Sequence, residues 1–303
     1  IAWGSTYLAI RFAVATMPPF LMAGVRFLVA GSILFIWRYS RGDARPSRLE
    51  WRSAAIVGFF LLVCGNGGVV WAEQRVVSGI AALMVGSSPL WMVLFDLFRP
   101  AKNKTHVRPG WMTIAGVIFG FTGIIVLVGP SSLTGITGSV DPVGAAVLTL
   151  SAFFWAIGSL YNRSAKLPAS PFLGTGMEML AGGAGLLVLG TLLGEWGMVK
   201  LSAISLSSFL GLIYLIVFGS LIGYASYTWL LRVAPTPLVS TYAYVNPVVA
   251  IFMGNLLAHE PLTPRILLAA AIILSAVALI TATQPAAHKA EKMSATAPAA
   301  GDD

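Results

Sequence analysis

The chain has 303 residues, 57% of them hydrophobic and only 10% charged. A soluble core of this length does not need that much apolar surface, which excludes an ordinary soluble domain and makes the lipid bilayer the expected solvent. The net charge of +8 would suit a nucleic-acid binder, but the basic residues sit in short connections between apolar runs. That pattern indicates orientation in a membrane rather than a phosphate-binding face.

Apolar runs of spanning length, about 20 residues each, predict helices at 1–16, 20–38, 53–72, 78–98, 109–129, 142–162, 171–193, 206–230, 236–257 and 264–283. The expected fold is all-α, a polytopic membrane protein of ten transmembrane helices. The first run is short and begins without Met, so the chain is expected to have lost an N-terminal piece; no signal peptide with a cleavage site is visible. The first helix carries Trp3, Tyr7 and Arg11, the second Arg26, and the third Cys64 and Asn66. The fourth carries Met84, Ser88, Pro89 and Trp91, and the fifth a glycine series at Gly116, Gly120 and Gly123. The sixth brings Trp155, Ser159 and Arg163, the seventh Glu178, the eighth Tyr224 and Tyr227. The ninth holds Tyr242, Asn246 and Pro247, and the tenth Ala271 and Ser275. Residues 284–303 are rich in Ala, Pro and charge and predict a disordered cytoplasmic tail.

The chain repeats itself. A shift of 158 positions lays Gly65 on Gly223, Trp71 on Trp229 and Pro89 on Pro247; a shift of 152 lays Trp3 on Trp155, Arg11 on Arg163, Gly24 on Gly176 and Gly31 on Gly183. The expected units are therefore 1–130 and 131–283, each of five helices. An odd number of helices per unit forces the two into opposite orientations. With the N-terminus inside, the inner connections hold Arg38, Arg41, Arg45, Arg48, Arg52, Arg99, Lys102, Lys104, Arg108, Arg163, Lys166, Arg232, Lys289 and Lys292. The outer ones hold only Arg75, Lys200 and Arg265. This bias places both termini in the cytoplasm. Trp37, Trp51, Trp71, Trp111, Trp196 and Trp229 fall at or near predicted helix ends, as interface anchors should. Inverted halves about an axis in the membrane plane can each adopt the other's conformation, which is the property a carrier needs.

The polar residues inside the spans are the candidates for function. Pro89 and Pro247 each remove a backbone hydrogen bond mid-helix and predict paired hinges facing each other across a cavity. Ser88 and Asn246 precede them, with Met84 and Tyr242 one turn back and Trp91 one turn on; these residues either touch substrate or pack helices through small and polar groups. Asn66 matches Tyr224 in the repeat, and Tyr227 shares the face of Tyr224. Trp3 and Tyr7 match Trp155 and Ser159. Such aromatic walls with scattered hydrogen-bonding groups suit a small amphipathic solute, and a packed aromatic core nearly as well. Arg26 and Glu178 superimpose under the 152 shift, and charges at that depth are costly, which predicts an ion pair between the halves that is either structural or proton-coupled. Arg11 and Arg163 read as snorkelling residues. Helices five and ten, through their small residues, should brace the outside of the bundle. The lone Cys64 reads as a packed apolar residue.

Three stretches carry a family resemblance: Trp3-Gly4-Ser5-Thr6-Tyr7, Pro18-Pro19 ahead of Ala23-Gly24-Val25-Arg26-Phe27, and Tyr242-Ala243-Tyr244-Val245-Asn246-Pro247. They resemble the drug/metabolite transporter (DMT) superfamily and, within it, the EamA family of bacterial inner-membrane exporters, in its YedA-like branch. The resemblance covers nearly the whole chain apart from the tail. It implies a ten-helix fold with a central cavity lined by helices 1, 3, 4, 6, 8 and 9, a place in the bacterial inner membrane, and export of small metabolites. Glu260 stands where the family often has an acidic residue after helix nine, whereas Arg99-Pro100 replaces the first-half counterpart.

The leading expectation is a transporter exporting small amphipathic metabolites, amino acids or related compounds and drugs among them, by alternating access. A channel and a proton-coupled multidrug exporter stay open as alternatives. A membrane-embedded enzyme would need a convergent nucleophile and base or a metal pair, and no predicted span contains a histidine. Neither cofactor nor metal is expected, and the partners expected are a small-molecule substrate and the bilayer, with the protein a monomer or weak homodimer.

Overall fold

The computed structural model describes residues 2–98, 111–133, 140–234, 239 and 241–296. Ten helical segments follow one another, with no strand among the described residues. We label them α1 (Ala2–Val14), α2 (Pro19–Ser40), α3 (Arg48–Ala72), α4 (Ser78–Val85 and Ser88–Phe98), α5 (Trp111–Leu133), α6 (Pro142–Ser164), α7 (Pro171–Leu192), α8 (Leu206–Val233), α9 (Tyr242–Ala258) and α10 (Pro264–Thr296). Segments within α2 to α8 are long and apolar enough to cross a bilayer, and α9 and Pro264–Ile280 of α10 are shorter apolar helices. The protein is thus an all-α polytopic membrane protein.

Local chemistry sets the helix starts. Pro19, Pro142 and Pro171 open α2, α6 and α7, where the missing N–H costs nothing. Ser47 and Glu50 form a reciprocal capping box at α3; Asp141, Ser170 and Ser205 accept from backbone N–H groups at the starts of α6, α7 and α8. Trp37, Trp111, Trp196 and Trp229 are exposed large residues near helix ends. Two ends differ from expectation. Helix α10 continues to Thr296, well past the expected end at 283, because Ala, Lys, Glu and Met in that stretch are good helix formers; residues 297–303 of the expected tail lie outside the described residues. Helix α9 is described from Tyr242, its expected start at 236 also falling outside, as do Arg99-Pro100, Lys102, Lys104 and Arg108.

The inter-helix contacts obey the repeat. Helix α2 packs most extensively on α7, its repeat equivalent, and α5 on α10. Gly31 lies against Gly176 and Gly24 against Gly183, so the first pair is antiparallel. Gly116 lies against Ile280, Gly120 against Ala276 and Gly123 against Ile273, so the second is too. The small residues that matter in α10 differ from those expected: Ala276 faces α5, whereas Ala271 and Ser275 are exposed. Helix α1 packs on α8 and, reciprocally, α6 on α3. Each matched glycine of that second set accommodates a tryptophan from the other half, Gly65 the ring of Trp155 and Gly223 the indole of Trp3; a side chain at Gly223 would collide with the indole, and one at Gly65 would press on the ring.

Helices α3 and α8 carry one shared irregularity. Phe59–Asn66 and Leu215–Tyr224 are π-helical, and the repeat lays the last residue of one, Asn66, on the last residue of the other, Tyr224. A wider turn at both positions re-aims the side chains that follow.

Candidate functional site

At the centre of the bundle a cavity is lined by Trp3, Thr6, Tyr7 and Ile10 of α1, Arg26 and Phe27 of α2, and Asn66 and Val69 of α3. Val85 of α4, Trp155 of α6, Gly219 and Tyr224 of α8, and Tyr242 of α9 complete it. Six of the expected substrate residues (Trp3, Tyr7, Asn66, Trp155, Tyr224 and Tyr242) therefore converge, together with Arg26. Thr6 joins them from the quoted Trp3–Tyr7 stretch, and Ile10, Phe27, Val69, Val85 and Gly219 do so without any polar signal in the sequence.

Aromatic rings form one wall. The Trp3 ring lies 5.6 Å from that of Trp155, 5.1 Å from Tyr227 and 5.4 Å from Tyr242, mostly edge-on or tilted, as ring quadrupoles favour. Hydrogen bonds fix the rings. Trp3 donates to the Gly219 carbonyl at 3.1 Å, and Trp155 donates to the Tyr227 hydroxyl at 3.1 Å. Ser159 and the Tyr227 hydroxyl are 2.6 Å apart. Ser159 and Tyr227 thus stand behind the lining and hold Trp155.

The proline helices differ from expectation in placement. They do not face each other across the cavity: Gly86 of α4 packs directly against Ala243 and Pro247 of α9. Helix α4 breaks after Val85, and Ser88 donates to the Val85 carbonyl at 2.6 Å. That carbonyl is the one Pro89, lacking an N–H, leaves free, so Ser88 repairs the hinge. Val85 lines the cavity; Met84, Ser88 and Trp91 lie outside the lining. Trp91 packs instead between Phe121 and Phe153, and Met84 is buried. Asn246 is buried one turn beyond Tyr242, its backbone carbonyl against Gly4, and is also outside the lining.

The ion pair expected between Arg26 and Glu178 does not form. The contact Gly31–Gly176 and the contact Gly24–Gly183 fix the register of the antiparallel pair, which leaves Arg26 and Glu178 at depths about a turn or more apart. Each finds partners elsewhere. Arg26 donates through Nε to Ser220 at 2.8 Å, and the opposite charge acting on it is Glu73 at the end of α3. Glu178 accepts from Asn162 at 2.8 Å and Tyr224 at 3.0 Å, and its opposite charge is Arg232 near the end of α8.

Three carboxylates went unassigned in the sequence or were given no such contact. Glu195 accepts from the N–H groups of Phe20 and Leu21 at 3.2 and 2.9 Å, capping α2. Glu260 accepts from the N–H of Ser78 and of Gly79, capping α4, and pairs with Arg11. Arg11 keeps a partly exposed side chain, 37%, at that contact. Glu73 is 3% exposed, with neither oxygen hydrogen-bonded among the described residues. Nothing at sequence level distinguishes it from an interfacial helix-end charge. Among the described residues no three His, Cys, Asp or Glu side chains gather as metal ligands.

Comparison with known proteins places this geometry. The sequence pattern described as the EamA-like transporter family matches residues 1–129 and 142–282, one stretch in each half. The uncharacterized inner membrane transporter YedA of Escherichia coli (strain K12) is 40% identical over 283 residues, covering 93% of this chain and 87% of YedA. The uncharacterized transporter YvbV of Bacillus subtilis (strain 168) is 23% identical, covering 96% of this chain and 91% of its own length. A solved structure described as "Crystal structure of protein" shares the fold with a TM-score of 0.64 at 20% identity, covering 93% of this chain and 94% of that one.

Proposed function

We propose that this chain, which belongs to the EamA-like transporter family, carries small amphipathic metabolites out of the cell by alternating access. It is a membrane transporter, and its relatives are transporters rather than enzymes. The proposed site of action is the bacterial inner membrane, as the printed name of YedA gives for that protein, with both termini cytoplasmic. The Glu260 end then faces the periplasm.

One observation supports this reading above the others. The aromatic wall of the cavity is built from matched tryptophans, Trp3 and Trp155, each seated on a glycine of the opposite half. Two halves that exchange conformations keep such a wall in both states while the ends of the helices open in turn. In this state α4 and α9 close on each other at Gly86 and Pro247. The α4 break and the Pro247 position in α9 supply the hinges. The lining, with one cationic side chain among aromatic and apolar groups, suits amino acids and related compounds better than sugar phosphates, which call for several arginines.

Counterflow in liposomes tests the proposal. Protein preloaded with an unlabelled aromatic amino acid should accumulate the labelled form transiently and saturably, and Trp155→Ala should abolish it. Flux that is linear in concentration, with no counterflow, would identify a channel instead.

A further inference from the structure

Arg26 is 2% exposed and lines the cavity. Its Nε is committed to Ser220, but Nη1 is buried with no hydrogen-bond partner, and Asn66 in the same lining has a buried Oδ1 likewise unmatched. Buried donors and acceptors left open cost about 1–3 kcal/mol each and persist where something else completes them. The charge balance points the same way. The buried carboxylate acting on Arg26 is Glu73, yet no ion pair within 4.0 Å joins them, so the guanidinium, stacked over the Phe27 ring at 4.6 Å, keeps Nη1 open.

Resting on the carrier reading above, we infer that Arg26 is the anchor for a carboxylate on the substrate, whose apolar body lies against Trp3, Trp155 and Tyr242. The guanidinium fork is suited to a carboxylate, and Asn66 Oδ1 accepts from an ammonium, so an α-amino acid with a large apolar side chain satisfies both open groups.

The test uses the full chain in lipid nanodiscs and four probes of one shape: phenylalanine, 3-phenylpropionate, phenylalaninamide and phenethylamine. Calorimetry reads the affinity for each probe. The two carboxylates should bind at least about tenfold more tightly than the amide and the amine. Because Arg26→Gln leaves Glu73 unbalanced and risks misfolding, Arg26→Gln/Glu73→Gln is the companion variant; it should fold and bind acid and amide alike. Equal binding of amide and acid by the wild type, unaltered acid preference in the double variant, or no binding of any probe would each overturn the assignment. Carrier function fails separately: acids that bind as expected but show no counterflow would sink the transport reading and leave the carboxylate site standing.

Discussion

Gly31 of α2 touches Gly176 of α7, and Gly176 is the repeat equivalent of Gly24 rather than of Gly31. Gly24 in turn touches Gly183, the equivalent of Gly31. Crossed pairing of this kind is what a two-fold axis between the two helices produces. It also explains why glycine recurs at these four positions: the backbones approach so closely that no side chain fits.

At Gly31 an added Cβ would lie 2.9 Å from both the Gly176 carbonyl oxygen and the Leu180 nitrogen, and backbone atoms cannot swing aside. Gly31→Ala should therefore destabilise the fold by about 1–3 kcal/mol. Gly197→Ala, in open space, should be neutral. Thermal unfolding of both variants in the same detergent reads the difference.

Ser88 and Pro89 should be coupled. Ser88→Ala leaves the Val85 carbonyl without its donor, a loss of about 1–3 kcal/mol for a buried group. In a Pro89→Ala background the restored N–H at position 89 can reach the same carbonyl, so the serine substitution should cost less. A double-mutant cycle on melting or denaturation measures the coupling, and additive effects would contradict the repair role.

Removing the Glu260 carboxylate strips acceptors from the Ser78 and Gly79 N–H groups and the partner from Arg11. Glu260→Ala should lower stability by about 1–3 kcal/mol and raise the labelling rate of a cysteine placed at the otherwise fully buried Ser78. Unchanged labelling would mean that this carboxylate does not hold the end closed.

Outside the spans, hydrogen bonds from Arg38 at 2.9 and 2.7 Å hold the Asp43 carboxyl below the usual carboxylate range. A lowered folded value means that the contribution is complete at neutral pH and is lost as pH falls through that value, below about pH 4. Melts from pH 7 down to pH 3 should show the wild type converging on Asp43→Asn, with the separation small because the pair is solvent-accessible.

The aromatic wall offers a fifth test. Gly223→Ala collides with the Trp3 indole and should shift tryptophan emission and weaken binding of any aromatic probe several-fold, with the fold retained. Unaltered emission would show that the indole can yield without cost.

The amino-acid order alone determined the ten apolar runs, because a bilayer leaves helices as the way to satisfy the backbone over such lengths, and self-similarity exposed the two halves. It also singled out Trp3, Trp155, Asn66, Tyr224 and Tyr242, since aromatic and polar residues stand out against lipid-facing neighbours. Tertiary structure decided the rest. Which partner Arg26 and Glu178 meet depends on the register of α2 against α7, and that register is set by glycine contacts between residues about 150 positions apart. Whether Ser88 and Trp91 face the cavity depends on where α4 breaks and how it leans on α9, and the π-helical turns ending at Asn66 and Tyr224 shift the face that regular periodicity would assign. Glu73 carries no signal of its own in the sequence, because its burial and its open oxygens are properties of the assembled bundle and not of a stretch of chain.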